Sequence, residues 1–136
     1  MSRRSRAREV ALQALFQEDL NPQNSLDRLG AFLAGRLRDE DSRDFAKQIV
    51  LGVRRNQQEL DALLAAKAEN WSLHRMAATD RNILRIGAYE IRFSDTPPRV
   101  AIDEAVELAK RFGAAQSSQF VNGILDKLIE RDKDSP

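Results

Sequence analysis

Cysteine is absent, and histidine, tryptophan and tyrosine occur once each, as His74, Trp71 and Tyr89. Without thiols the chain can form neither a disulfide nor a thiolate metal site, and one imidazole cannot supply catalysis of the conventional multi-histidine kind. No apolar run approaches the roughly 20 residues of a membrane span, and the basic start is not followed by the apolar stretch of a signal peptide. Strand-like alternation, hairpin signals and a glycine-rich phosphate loop are missing too. These absences predict a soluble, all-α protein without metal or cofactor, compatible with a reducing, cytoplasmic location.

The 136 residues suit one domain that buries about two-thirds of its unfolded surface without a covalent staple. The formal net charge is only +1, but the distribution is uneven. Residues 1–8 carry four arginines and no acid, leaving 18 basic against 21 acidic residues, net −3, in the remainder. A local basic patch on a mildly acidic body points to a nucleic-acid or phosphate contact confined to one region. Arg3, Arg4, Arg6 and Arg8 also stand at the start of a helical pattern, where the helix dipole disfavours cations. That helix is apolar over most of its circumference through Val10, Ala11, Leu12, Ala14, Leu15, Phe16 and Leu20. A polar strip through Arg6, Glu9, Gln13 and Gln17 remains, and with the arginines above it should face an anionic partner.

Further along, Asn21 to Asn24 break the first helix, and Ser25 can cap a second, with Leu26, Leu29, Leu33 and Leu37 on one face. Asp41 or Ser42 can cap a third, in which Phe45, Ile49, Gly52 and Val53 form the buried stripe and Gly52 admits a neighbouring helix. The polar run Arg54 to Glu59 predicts a kink or short break before Leu60, Leu63 and Leu64. The aperiodic segment Lys67 to Thr79, anchored by Trp71 with His74 at the surface, reads as a seam between subdomains 1–70 and 71–136. Beyond it, Thr79 or Asp80 can cap a helix that is apolar nearly all round, with Arg81, Arg85 and Arg92 on its wet side. Pro98 opens the next helix and Gly113 should close it in a left-handed cap. Ser117 or Ser118 then caps a last helix carrying Val121, Ile124, Leu125 and Leu128 inward, ahead of a charged tail at Arg131 to Pro136 that should fray. The sum is about seven helices, with the first and the one from Asp80 to Phe93 at the centre.

Three features have two readings each. Phe120 lies off its helix's apolar seam, so it is either a hydrophobic staple or an exposed face on which a base stacks. Mid-helix Gly123 suggests close helix packing, with access for a ligand as the other reading. Asp103, Glu104 and Glu107 could pass for an acid–base or metal cluster, but their spacing fits a solvated face with pairs such as Glu107 to Arg111.

The segments AREVALQALF (Ala7 to Phe16), DRNILRIGAYEI (Asp80 to Ile91), VAIDEAVELAKRFG (Val100 to Gly113) and SSQFVNGILDKL (Ser117 to Leu128) resemble, in this order, the NusB family of transcription antitermination proteins. The resemblance implies two packed three-helix bundles and no catalysis. It implies binding of single-stranded boxA RNA together with the ribosomal small-subunit protein NusE, within an RNA polymerase antitermination complex that serves ribosomal RNA operons. The family's arginine motif falls on Arg4, Arg6 and Arg8, to which the charge pattern adds Arg3 and the polar strip adds Gln13. The start of the last helix, around Gln116, Ser117 and Phe120, is the second expected RNA contact, while Asp80 and Phe16 are expected on the protein-partner surface. Ser5 interrupts the arginines and Gln116 is neutral where relatives often have an acid; the first should weaken RNA binding and the second strengthen it. A homodimer is compatible with the resemblance. Two rivals stand beside this reading: a helical protein-binding adaptor with incidental arginines, and an accessory module related to the N-terminal domains of RNA cytosine methyltransferases, although no methyltransferase sequence follows within these residues.

Overall fold

A computed structural model describes residues 2–22, 26–69 and 72–133, with side chains described as far as Ile129. The proposed cap Ser25, the anchor Trp71 and the side chains of the charged tail lie outside the described residues. Among the described residues there are seven α-helices: α1 (Arg3–Leu20), α2 (Leu26–Arg36), α3 (Glu40–Arg55), α4 (Gln57–Lys67), α5 (Ala78–Phe93), α6 (Pro98–Phe112) and α7 (Ser117–Lys133), with a 3₁₀ turn at Leu73–Arg75 before α5.

α1 begins at the arginines because Ser2 supplies a cap: its backbone is extended and its hydroxyl accepts the Ser5 amide. The cap offsets a first turn that contains no acid. Along α1, Ala7, Val10, Ala11, Leu12, Ala14 and Leu15 are buried, whereas Leu20 is 74% exposed and Phe16 is at the surface. α1, α2 and α3 form one three-helix bundle and α5, α6 and α7 the other. α1 and α3 both pack on α5, and α4 leans on α5 and α7. α5 is thus the shared wall, with Ile83, Leu84, Ile86 and Ala88 essentially inaccessible. Each large aliphatic side chain buried in this way stabilises the fold by about 1.5–3 kcal/mol before entropy is counted.

Two glycines set the approach of neighbours to α5. A Cβ on Gly52 of α3 would stand 2.1 Å from Tyr89 Cε1, so the Tyr89 ring lies directly on the α3 backbone, as the buried stripe led us to expect. Burial, with the Glu90 carboxylate beside it, raises the Tyr89 phenol above its ordinary value of 10.0. On the other side of α5, a Cβ on Gly87 would stand 2.5 Å from Leu125 Cδ1. The expected break falls at Asn56, whose side-chain amide donates to the Gly52 carbonyl at 2.8 Å and lets α4 restart at Gln57.

Several local expectations need correction. α5 starts at Ala78 with no side-chain cap, because Asp80 is already inside its first turn and turned toward α7. Arg85 is buried rather than wet: it lies 6% exposed with both Nε and Nη2 on the Asp61 carboxylate, at 2.8 and 2.9 Å. Gly113 is extended, at φ −92 and ψ −175, not left-handed; its lack of a side chain instead clears Ser117 and the Ala109 carbonyl. Gly123 faces open space, with nothing within 4 Å of a Cβ there, so close packing does not explain it. Leu26 is 60% exposed and leaves Leu29, Leu33 and Leu37 as the buried face of the α2 region.

Candidate nucleic-acid interface

The four arginines of the first turns separate by helical geometry into different environments. Arg8 faces inward at 3% exposure. Its Nε and Nη2 donate to Glu90 Oε1 and Oε2 at 2.7 and 2.8 Å, a bidentate pair that joins α1 to the last turn of α5. Glu104 of α6 stands 3.6 Å from Arg8 Nη1, and Thr96 donates to Glu90 Oε2 at 2.8 Å. This saturates the buried carboxylate, which is the condition for a buried charge pair to be tolerated. The expectation that Arg8 meets RNA at the surface therefore does not fit the geometry, because its donors are committed inside the protein.

Arg3 and Arg4 remain exposed. The Arg4 guanidinium lies over the Phe45 ring at 4.4 Å from its centroid, and Arg8 lies over the same ring at 5.0 Å. Arg3 approaches Asp39, whose carboxyl is held below its usual 3.8, chiefly by the backbone amide of Ser42 that it accepts as cap of α3. A cleft of about 670 Å³ opens between these elements, lined by Arg3, Arg4, Asp39, Phe45 and Tyr89 among others. Arg6 is half-exposed and pairs with Glu9 Oε1 at 2.9 Å. Glu9, expected on the wet strip, is 6% exposed because Arg111 of α6 also holds it, Nη1 to Oε2 at 3.0 Å. The acids of α6 are likewise not a purely solvated face, since Ser5 donates to Glu104 Oε1 at 2.7 Å.

Gln13 is half-buried and lines a groove of about 400 Å³ with Phe16, Phe32, Arg36 and Phe112. Phe16 and Phe112 are 37% and 38% exposed, and the Arg36 guanidinium covers Phe32 at 3.8 Å. The groove places Gln13, expected to meet RNA, beside Phe16, expected to meet a protein.

Asp80 and the start of α7 also come together, around a smaller cleft of about 190 Å³ lined by Arg75, Met76, Asp80, Gln116, Ser117 and Phe120. Ser117 is buried, and its hydroxyl accepts the Ala114 amide at 2.9 Å while donating to Asp80 Oδ2 at 3.0 Å. It is a structural hinge pin between α5 and α7 whose side chain is spent internally. The other Asp80 oxygen is buried and has no hydrogen-bond partner among the described residues. Gln116 is exposed, and Phe120 is partly buried against the core with an edge on the cleft. Both readings of Phe120 are therefore compatible with its position.

Sequence reasoning missed the part played by Glu90, Phe45 and Thr96, which meet the arginine cluster from α5, α3 and the turn after α5, 37 to 88 positions beyond Arg8. The signal available was Glu90 itself, an acid within the apolar run Ile86 to Ile91 of α5. Among the described residues no group of three or more His, Cys, Asp or Glu could hold a metal, and no helix is long and apolar enough to cross a membrane.

Comparison with known proteins follows the same outline. The NusB family model matches residues 5–130. The transcription antitermination protein NusB of Desulfatibacillum aliphaticivorans is 44% identical over 129 residues, covering 94% of this chain and 90% of that one. The solved structure of T. maritima NusB superimposes with a TM-score of 0.83 at 37% identity, over 96% of this chain and 92% of that one. A crystal structure of the antitermination factors NusB and NusE in complex with double-stranded RNA matches with a TM-score of 0.85 at 26% identity, covering 96% and 98% of the two chains. By sequence over nearly its full length and by its pair of three-helix bundles, this chain belongs to the NusB family.

Proposed function

We propose that the chain is a non-enzymatic transcription antitermination factor of the cytoplasm that binds single-stranded boxA RNA together with NusE and delivers it to RNA polymerase. The observation that carries this reading is the divided arginine cluster. One arginine is sunk in a buried pair with Glu90, while Arg3, Arg4 and Arg6 are left on the surface above it. Guanidinium groups fixed in this way bind phosphates bidentately and stack on bases. The relative solved with NusE and double-stranded RNA supports both partners. For this chain we favour a single strand, because exposed Gln116 and partly buried Phe120 line one cleft, and an amide beside an aromatic ring suits unstacked bases.

In this reading Arg3, Arg4 and Arg6 supply phosphate contacts, Gln13 continues the path along α1, and Gln116 with Phe120 contacts bases. Arg8 and Ser117 position these groups rather than touching RNA. Asp80 and Phe16 contribute to the protein-partner surface, and a homodimer would compete for the same surface. Filter binding of boxA RNA, a scrambled RNA of equal length and a boxA duplex, at two salt concentrations with and without NusE, tests the proposal. The single-stranded boxA RNA should bind tightest and NusE should tighten it further; equal affinity for scrambled RNA, or indifference to NusE, would refute it.

A further inference from the structure

We propose that Phe45 is a positioning residue for RNA binding, an aromatic bearing that carries the rigidity of the buried Arg8–Glu90 pair out to Arg4. The inference rests on the RNA-binding reading above and deepens it. Arg8 is held from both ends of its guanidinium fork: two bonds under 2.9 Å tie it to Glu90, itself 1% exposed. Its guanidinium lies against the Phe45 ring, 5.0 Å from the centroid, and that ring is partly buried against the core. Arg4, one turn earlier on α1 and exposed, rests on the same ring at 4.4 Å.

A guanidinium held over an aromatic ring by its flat face keeps its N–H edge directed outward, where a phosphate or a base edge can take it. A free arginine at the first turn of a helix would sample many rotamers and lose them on binding RNA. Stacking on Phe45 removes part of that loss beforehand. The ring thus raises affinity without adding charge and without touching RNA. Among the described residues neither Arg3, which lies near Asp39, nor Arg6, which is tied to Glu9, has an aromatic support of this kind.

The test is a double-mutant cycle on the full chain, reading boxA RNA affinity at fixed salt beside thermal unfolding. Phe45→Leu should weaken RNA binding about two- to fivefold, the size of a cation–π contact at an exposed site. Phe45→Trp should restore it, because the larger π-face holds a guanidinium at least as well. In an Arg4→Ala background, Phe45→Leu should change RNA affinity by less than about 1.5-fold, since the group it positions is gone. An equal loss in both backgrounds, or a Phe45→Trp protein that folds but binds as weakly as Phe45→Leu, would overturn the inference while leaving RNA binding intact. If the unsubstituted chain does not prefer boxA RNA over scrambled RNA, the functional reading fails and this inference with it.

Discussion

Arg4 and Arg8 are one helical turn apart, share a ring, and have opposite energetic characters. Arg8 is a buried charge, so removing either member of its pair strands the other in a low-dielectric interior. Arg8→Met alone, or Glu90→Leu alone, should cost about 3–5 kcal/mol, whereas the double variant should recover most of that loss. Urea unfolding of the three proteins checks this; an additive double variant would mean that the pair is not energetically coupled. Arg4→Ala should change stability by no more than about 1 kcal/mol in the same assay. The sequence could not separate these two arginines, because all four stand in one short run and only the partner 82 positions away distinguishes Arg8. Arg85 was misplaced for the same reason: a charge in a helix reads as wet until its acid, here Asp61, is known to lie opposite.

At the scale of elements, glycines that look alike in sequence behave oppositely. Gly52→Ala would drive a methyl group into the Tyr89 ring, and the rigid α3–α5 contact should lose about 1–3 kcal/mol or more. Gly123→Ala meets nothing within 4 Å in α7 and should gain about 0.5–1 kcal/mol from helix propensity. Thermal unfolding of both variants decides, and a destabilised Gly123→Ala protein would contradict the open surroundings described for that position. The cap of α3 makes a separate claim about pH. Asp39 has its folded-state pKa depressed below 3.8, so its contribution is present above that value and is lost as pH falls through the lower, folded one. Asp39→Asn keeps a capping oxygen but does not titrate, and urea midpoints between about pH 5 and 2 should fall less steeply for it than for the unsubstituted chain. Most helix boundaries were legible because their punctuation is local: Pro98 opens α6, Asn21 and Pro22 follow α1, and the polar run around Asn56 divides α3 from α4. Punctuation misled at Asp80, which is engaged by Ser117 37 positions away, and at Gly113, where the approach of Ser117 and not a left-handed cap requires the glycine.

For the molecule as a whole, a net charge of +1 means that affinity for a polyanion must come from the patch and not from the body. With Arg8 enclosed, three arginines remain to displace counterions from a single strand. The slope of log K against log salt should therefore be about −2 from this patch. Fluorescence anisotropy across a salt series measures it, and Arg8→Met should leave the slope unchanged if the protein stays folded. A slope near −3 that Arg8→Met reduces would show that Arg8 reaches phosphate after all. The all-helical class and the basic start of the chain were readable from hydrophobic period and charge, whereas the two three-helix bundles were what the resemblance to the NusB family implied. The joining of Asp80 to the start of α7 was not readable, because it depends on how α5 and α7 pack and no spacing along the chain encodes that.

The fastening of α1 bears on the order in which the molecule can become competent. Ser5, Arg8 and Glu9 close onto Glu104, Glu90 and Arg111, contacts that span 99, 82 and 102 positions. Such long loops close late in folding. A ribosome that has made only the first bundle has exposed the arginines and Phe45 but not Glu90, Glu104 or Arg111, which fasten the helix that carries them. The basic end, though synthesised first, acquires its working shape among the last parts of the chain, so a partly made or partly unfolded copy presents charge without geometry.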